Sequence, residues 1–177
     1  MPERILFVDD EPDFERLIRQ KYRKKIRTGE LVPEFALNGE EALDKLQANG
    51  GYGVVLTDIN MPVMDGLRLL AEIKKLDQQV LVVIISAYGD MQNIRTAMNR
   101  GAFDFLTKPI DFEDLEITRL KALEHVVQLR ERIRLKEEKR RLEERNSFIK
   151  DTFGRYLSDA VVQTLLESPD GLKLGGE

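Results

Sequence analysis

The chain has 177 residues, with 28 Lys+Arg against 32 Asp+Glu, no Cys and a single His. That length allows one domain with an appendage or two small ones, and the net charge of −4 gives no reason to expect a nucleic-acid partner. Without Cys, and with His125 alone, disulfides, thiolate chemistry and multi-His metal sites are excluded. The longest apolar run, residues 80–85, falls far short of the ~18–20 residues of a membrane span. The N-terminus carries no secretory pattern, so a cytoplasmic protein with no membrane partner is expected.

Residues 4–8 form a short apolar run that ends in Asp9-Asp10. Similar runs follow at 34–37, 54–57, 80–85 and 103–107, each too short for a helix and rich in Val, Ile, Leu or Phe. Helical patterns lie between them, near 13–26, 40–48, 66–76 and 91–100, and a fifth helix starts near Asp111. Asn38-Gly39, Asn49-Gly50-Gly51 and Arg100-Gly101 punctuate the ends. Apolar strands that alternate with helices predict an α/β fold with a doubly wound, flavodoxin-like, five-stranded parallel sheet. Pro33 falls in a stretch, 30–33, that reads as irregular.

Charge marks the domains. Residues 1–118 hold 15 basic and 21 acidic side chains, whereas 119–150 hold 11 and 6 with no Gly or Pro. The division expected is 1–120 globular, 121–152 a long helix, and 153–177 a short helical segment.

Ligands of such sheets bind at the carboxyl ends of the strands. Asp9-Asp10 ends the first strand, Asp58 the third, Ser86 the fourth and Lys108 the fifth. Crowded carboxylates repel one another, and a hard divalent cation with oxygen ligands relieves this, which suits Mg²⁺. An Asp also serves as a nucleophile that forms an aspartyl phosphate. Taken singly, each residue reads as a helix cap or a turn. One such group per strand end overturns that reading.

The motifs Ile5-Leu6-Phe7-Val8-Asp9-Asp10-Glu11, Asp58-Ile59-Asn60-Met61-Pro62-Val63-Met64-Asp65-Gly66, Ile85-Ser86-Ala87-Tyr88 and Phe105-Leu106-Thr107-Lys108-Pro109 resemble the receiver domains of two-component response regulators. The resemblance covers residues 3 to about 120. It implies that Asp58 is the phosphoacceptor, charged by a histidine kinase or phosphotransfer protein. It implies Mg²⁺ held by Asp10, Asp58, the Asn60 carbonyl and Asp9, the last often through water. It implies that Ser86 and Lys108 bind the phosphoryl oxygens, that Ser86 and Phe105 switch, and that the peptide before Pro109 is cis.

Beyond the receiver, Leu115, Leu120, Leu123, Val126, Val127, Leu129 and Ile133 supply an apolar stripe. A second register follows, with Leu135, Leu142, Ile149 and Tyr156 seven apart and Lys139 and Asn146 in the companion position. Asn there favours one register and two strands, so a parallel homodimeric coiled coil is expected. Gly154 breaks the helix, and Ser158 caps a shorter one that ends at Pro169. Arg155-Tyr156-Leu157-Ser158, Leu165-Leu166 and Leu174-Gly175-Gly176-Glu177 resemble the segment upstream of the catalytic domain in bacterial class III adenylate/guanylate cyclases. That resemblance implies a cyclase output beyond Glu177, in a longer parent protein. A DNA-binding or other-output regulator is the alternative, and an Asp-dependent phosphatase a third reading.

Overall fold

The computed structural model describes residues 2–77, 79–155 and 158–167. Five strands form one parallel sheet: β1 (Glu3–Val8), β2 (Leu31–Ala36), β3 (Val54–Asp58), β4 (Leu81–Ala87) and β5 (Asp104–Lys108), in the order β2-β1-β3-β4-β5. The helices are α1 (Pro12–Lys21), α2 (Arg23–Arg27), α3 (Gly39–Asn49), α4 (Gly66–Leu76), α5 (Met91–Asn99), α6 (Phe112–Phe153) and α7 (Asp159–Glu167). This is the doubly wound, flavodoxin-like fold expected.

Alternation along the strands splits the core in two. Ile5, Phe7, Leu56, Val83 and Ile85 face one way, against Phe14 and Ile18 of α1 and Leu115, Ala122 and Val126 of α6. Leu6, Val8, Val55, Val82 and Ile84 face the other, against Ala42, Leu69, Ile73 and Ala97 of α3, α4 and α5. Strands covered on both faces need no polar side, which is why β1, β3 and β4 read as unbroken apolar runs.

Three boundaries differ from the sequence reading. β2 spans Leu31–Ala36 and contains Pro33, because an edge strand has no outer ladder for proline to break. The helical pattern at 13–26 is two helices, joined at Tyr22, whose backbone leaves helical geometry (φ −99°, ψ 17°) while its ring is buried. β5 starts at Asp104, one residue later than the apolar run at 103–107, and ends on Lys108.

The N-caps fix where helices leave the sheet. The Asn38 side chain accepts from Glu41 N, and that of Asp65 accepts from Arg68 N. Gly66 N donates to the Ile59 carbonyl at 2.8 Å. A Cβ at Gly66 would sit 2.2 Å from the Asp58 carbonyl oxygen, so only glycine lets α4 start this close to β3.

The chain divides into two units, Met1–Leu129 and Arg130–Glu177. In the first, α6 buries Leu115, Thr118, Arg119, Ala122 and Val126 and leaves Ile117, Leu120 and Val127 exposed. Of the stripe read from sequence, Leu115 and Val126 are buried and Leu120 and Val127 are exposed, and the polar Thr118 and Arg119 are buried as well. In the second unit, pairs one turn apart support the helix, including Arg134 with Glu131 and Glu138 and Arg140 with Glu144. Leu135 and Leu142 are about half exposed, whereas Ile149 and Val162 are buried. Gly154 follows the last residue of α6, where a Cβ would meet the Lys150 carbonyl at 2.4 Å. Tyr156 and residues 168–177, which carry part of the heptad and of the cyclase-like motif, lie outside the described residues.

Candidate functional site

The strand ends gather four of the sequence-predicted residues. Lys108 Nζ lies 2.8 Å from Asp58 Oδ2, 3.1 Å from Asp9 Oδ2 and 3.5 Å from Glu11 Oε1. Each of Asp9, Asp10 and Asp58 offers a carboxylate oxygen within 4.8 Å of the others. Asp9 and Asp58 are buried and Asp10 is exposed. The register that pairs Asp58 with Ile85 and Ala87 with Lys108 sets these groups side by side. The peptide before Pro109 is cis. A cleft of about 490 Å³ opens beside the cluster, lined by Asp9, Glu11 and Lys108 together with Phe14, Leu17 and Tyr88.

The hydrogen bonds are specific. Asp9 Oδ1 accepts from Glu11 N at 2.8 Å and Asp58 Oδ1 accepts from Asn60 N at 3.3 Å. Asp9 Oδ2 is buried and has no aligned hydrogen-bond donor, although the Lys108 ammonium is near it. Burial pushes the Asp9 carboxyl above its usual range, opposed by the Glu11 amide and by Lys108. Burial works against the charge on Lys108, but the two aspartates outweigh it and raise its pKa. The ammonium stays protonated through the physiological range.

An all-oxygen donor set with a surplus of negative charge and an orphaned buried carboxylate oxygen fits a hard divalent cation such as Mg²⁺. Asn60 is exposed in the β3–α4 loop. In the same loop Val63 has φ +68°, a conformation that β-branched residues rarely adopt.

Ser86 and Phe105 lie on neighbouring strands. Ser86 is fully buried at the end of β4, and its Oγ donates to Asp90 Oδ2 at 3.1 Å. Phe105 is 36% exposed. Sequence reasoning missed Asp90 because an Asp before a helix reads as a simple cap. Its signal was the spacing of four residues from Ser86 across a turn.

A second charged cluster lies at the amino end of β1. Arg119, itself buried, binds Glu3 and pairs with Glu116 at 2.7 Å; Glu116 lies 3.7 Å from Lys25. Hydrogen bonds from Arg119 hold the Glu116 carboxyl down at about 2, and burial raises Glu3 and Tyr22. No sequence motif pointed to it. The i, i+3 pair Glu116–Arg119 beside buried Leu115 was the available signal.

These two descriptions, a parallel sheet of order β2-β1-β3-β4-β5 and an acidic strand-end cluster facing a lysine, define a receiver. Residues 5–119 match the response regulator receiver domain family, and the chain belongs to it. It is thus a receiver of two-component signalling. It is 40% identical over 91 residues to the transcriptional regulatory protein ZraR of Klebsiella oxytoca, a match covering 51% of this chain and 20% of that one. A response regulator receiver domain protein from Clostridium thermocellum aligns with TM-score 0.65 and 31% identity over 72% of this chain and 98% of that one. The adenylate cyclase structure from Rhodopirellula baltica aligns with TM-score 0.70 over 77% and 98%, at 20% identity, which speaks to the fold alone. The first curated relatives are matched over only about a fifth of their length. Among the described residues no helix is long and apolar enough to cross a membrane.

Proposed function

We infer that the chain is a phosphorylation-controlled module in which Asp58 takes a phosphoryl group from a histidine kinase or phosphotransfer protein. The observation that carries this is the Lys108 ammonium, 2.8 Å from Asp58 and flanked by Asp9 and Asp10. An Asp58 carboxylate oxygen attacks phosphorus, and the bond from phosphorus to the donor's imidazole nitrogen breaks. The nitrogen keeps the electron pair, and an acyl phosphate remains on Asp58. The side chains of Asp9, Asp10 and Asp58 and the main-chain carbonyl of Asn60 would hold Mg²⁺, which neutralises charge on the transferred group. Lys108 stays charged and offsets the negative phosphoryl oxygens. Ser86 supplies an O–H donor, and Phe105 answers by packing rather than by hydrogen bonding.

The output reading rests on the second unit. Leu135 and Leu142, seven apart and half exposed, support a parallel homodimer through α6. The motif of residues 155–177 supports a class III nucleotide cyclase in the parent protein, located in the cytoplasm and acting without a nucleic-acid partner. A transcriptional output is the second reading, favoured by the names of the curated relatives. Against it, basic residues of α6 such as Arg134 and Arg140 pair with Glu of the same helix rather than standing free for phosphates.

Intact mass after incubation with a small acyl phosphate and Mg²⁺ tests the site. Wild type gains one phosphoryl group and Asp58→Asn gains none; equal incorporation removes the assignment. A salt titration of DNA binding tests the second reading, since phosphate contacts weaken steeply with salt.

A further inference from the structure

Four helices of the first unit start at residues able to cap them, and one of the four is used differently; at the start of α6, Asp111 accepts from Glu113 N at 2.7 Å. Asn38 and Asp65 each accept a hydrogen bond from a backbone amide of their own helix. Asp90, at the start of α5, makes no such bond. Its Oδ2 instead accepts from Ser86 Oγ at 3.1 Å and from Asn93 Nδ2 at 3.0 Å. The first turn of α5 carries no acidic residue, so its free amides and its dipole receive no carboxylate from within the helix.

A serine hydroxyl has one proton to donate. Here that proton is committed to Asp90. Phosphoryl oxygens only accept, so Ser86 can serve a phosphorylated Asp58 only by giving up Asp90. Ser86 is fully buried, which leaves water a poor substitute partner. Resting on the phosphoacceptor reading above, we propose that Asp90 is a positioning residue that competes with the phosphoryl group for the Ser86 proton and so sets the resting state of the receiver. When Ser86 turns to the phosphoryl group, the Asp90 carboxylate is released at the N-terminus of α5. Unpaired backbone amides await it there, and capping α5 recovers part of what is lost. In the exchange Ser86 trades a carboxylate acceptor for a phosphoryl one, and Asp90 trades a hydroxyl donor for a backbone amide. A near-balanced exchange of this kind is what a small chemical signal can tip. The start of α5, rather than Ser86 alone, then reports phosphorylation to the surface.

The test uses beryllofluoride with Mg²⁺ as a phosphoryl mimic, titrated into the full chain and followed by calorimetry and by amide NMR shifts. Asp90→Ala should bind the mimic about three- to tenfold more tightly than wild type, because the competing acceptor is gone. In a Ser86→Ala background the same substitution should change affinity by less than about twofold, since there is no proton left to compete for. In wild type, the Gln92 and Asn93 amide resonances should shift downfield on adding the mimic, as a new cap forms, and should not do so in Asp90→Ala. Unchanged affinity in Asp90→Ala, or an effect that persists undiminished in Ser86→Ala, overturns the proposal and leaves Asp90 a purely structural residue. Equal binding by wild type and Asp58→Asn overturns the phosphoacceptor reading, and the competition falls with it. Asp90→Asn keeps an acceptor oxygen without the charge and should lie between wild type and Asp90→Ala.

Discussion

The first unit holds two partly buried charged clusters at opposite ends of β1, and they are built to different sums. At the carboxyl end, Asp9, Asp10, Asp58 and the nearby Glu11 face one cation, Lys108. At the amino end, Glu3, Glu116 and the exposed Glu30 face two, Arg119 and Lys25. Both clusters perturb pKa values, and the amino-end cluster perturbs more of its members. Perturbation alone therefore does not single out the working site. The size of the surplus does: the amino end carries one carboxylate more than its cations, on exposed Glu30, whereas the carboxyl end carries three more, a surplus that suits a cation site. Residues remote from the strand ends can look electrostatically active while serving only to fix α6 against the sheet.

Removing one partner should separate the two most sharply. Arg119→Met leaves Glu3 buried without its cation and should cost about 3–5 kcal/mol in urea unfolding. Adding Glu3→Gln should recover part of that. A loss below 1 kcal/mol would show that the amino-end cluster is not a clamp.

The pH dependence comes next. Glu116 is held at about 2 in the folded chain, against 4.5 for an ordinary glutamate. A lowered folded pKa means that its contribution is present above about pH 4.5 and lost as pH falls toward 2. The carboxylate is a third exposed, so screening trims this to about 1–2 kcal/mol. Wild type should exceed Glu116→Gln by that amount at pH 6, and the gap should close by about pH 2.

The carboxyl-end cluster should respond with the opposite sign. Asp9→Asn removes a carboxylate that burial disfavours and should stabilise the chain in chelator, read as a higher urea midpoint. Millimolar Mg²⁺ should narrow or reverse that gain, because wild type then gains from binding. A gain independent of Mg²⁺ would count against a cation site.

The smallest effect concerns strain beside the same cluster. Val63 at φ +68° costs about 1–3 kcal/mol, part of which the entropy of glycine cancels. Val63→Gly should raise stability by about 0.5–1 kcal/mol, read as a higher urea midpoint at an unchanged slope. A loss would mean that the valine methyls, though 70% exposed, are needed in the loop.

The sheet was legible because β1, β3 and β4 are apolar on both faces, so composition alone marks them. The strand-end residues were legible because chain order places each at the same edge. Pro33 hid the start of β2, since proline in a strand is acceptable only at an edge and edge position is a tertiary fact. The turn at Tyr22 hid because the flanking residues keep helical spacing. Arg119 looked like a surface charge, and only packing under the sheet makes it a buried one.

Pro33 has a consequence beyond the boundary it blurs. The carbonyls of Glu30 and Ala36 bond to β1, so the odd-numbered positions of β2 turn their backbone groups outward. At Pro33 that outward edge has no N–H to offer, and at Phe35 the outward carbonyl is taken by the Lys45 ammonium. A foreign strand laid along β2 would find a missing donor and an occupied acceptor two residues apart. This margin of the sheet is thereby protected from edge-to-edge aggregation, at a strand whose apolar residues would otherwise invite it.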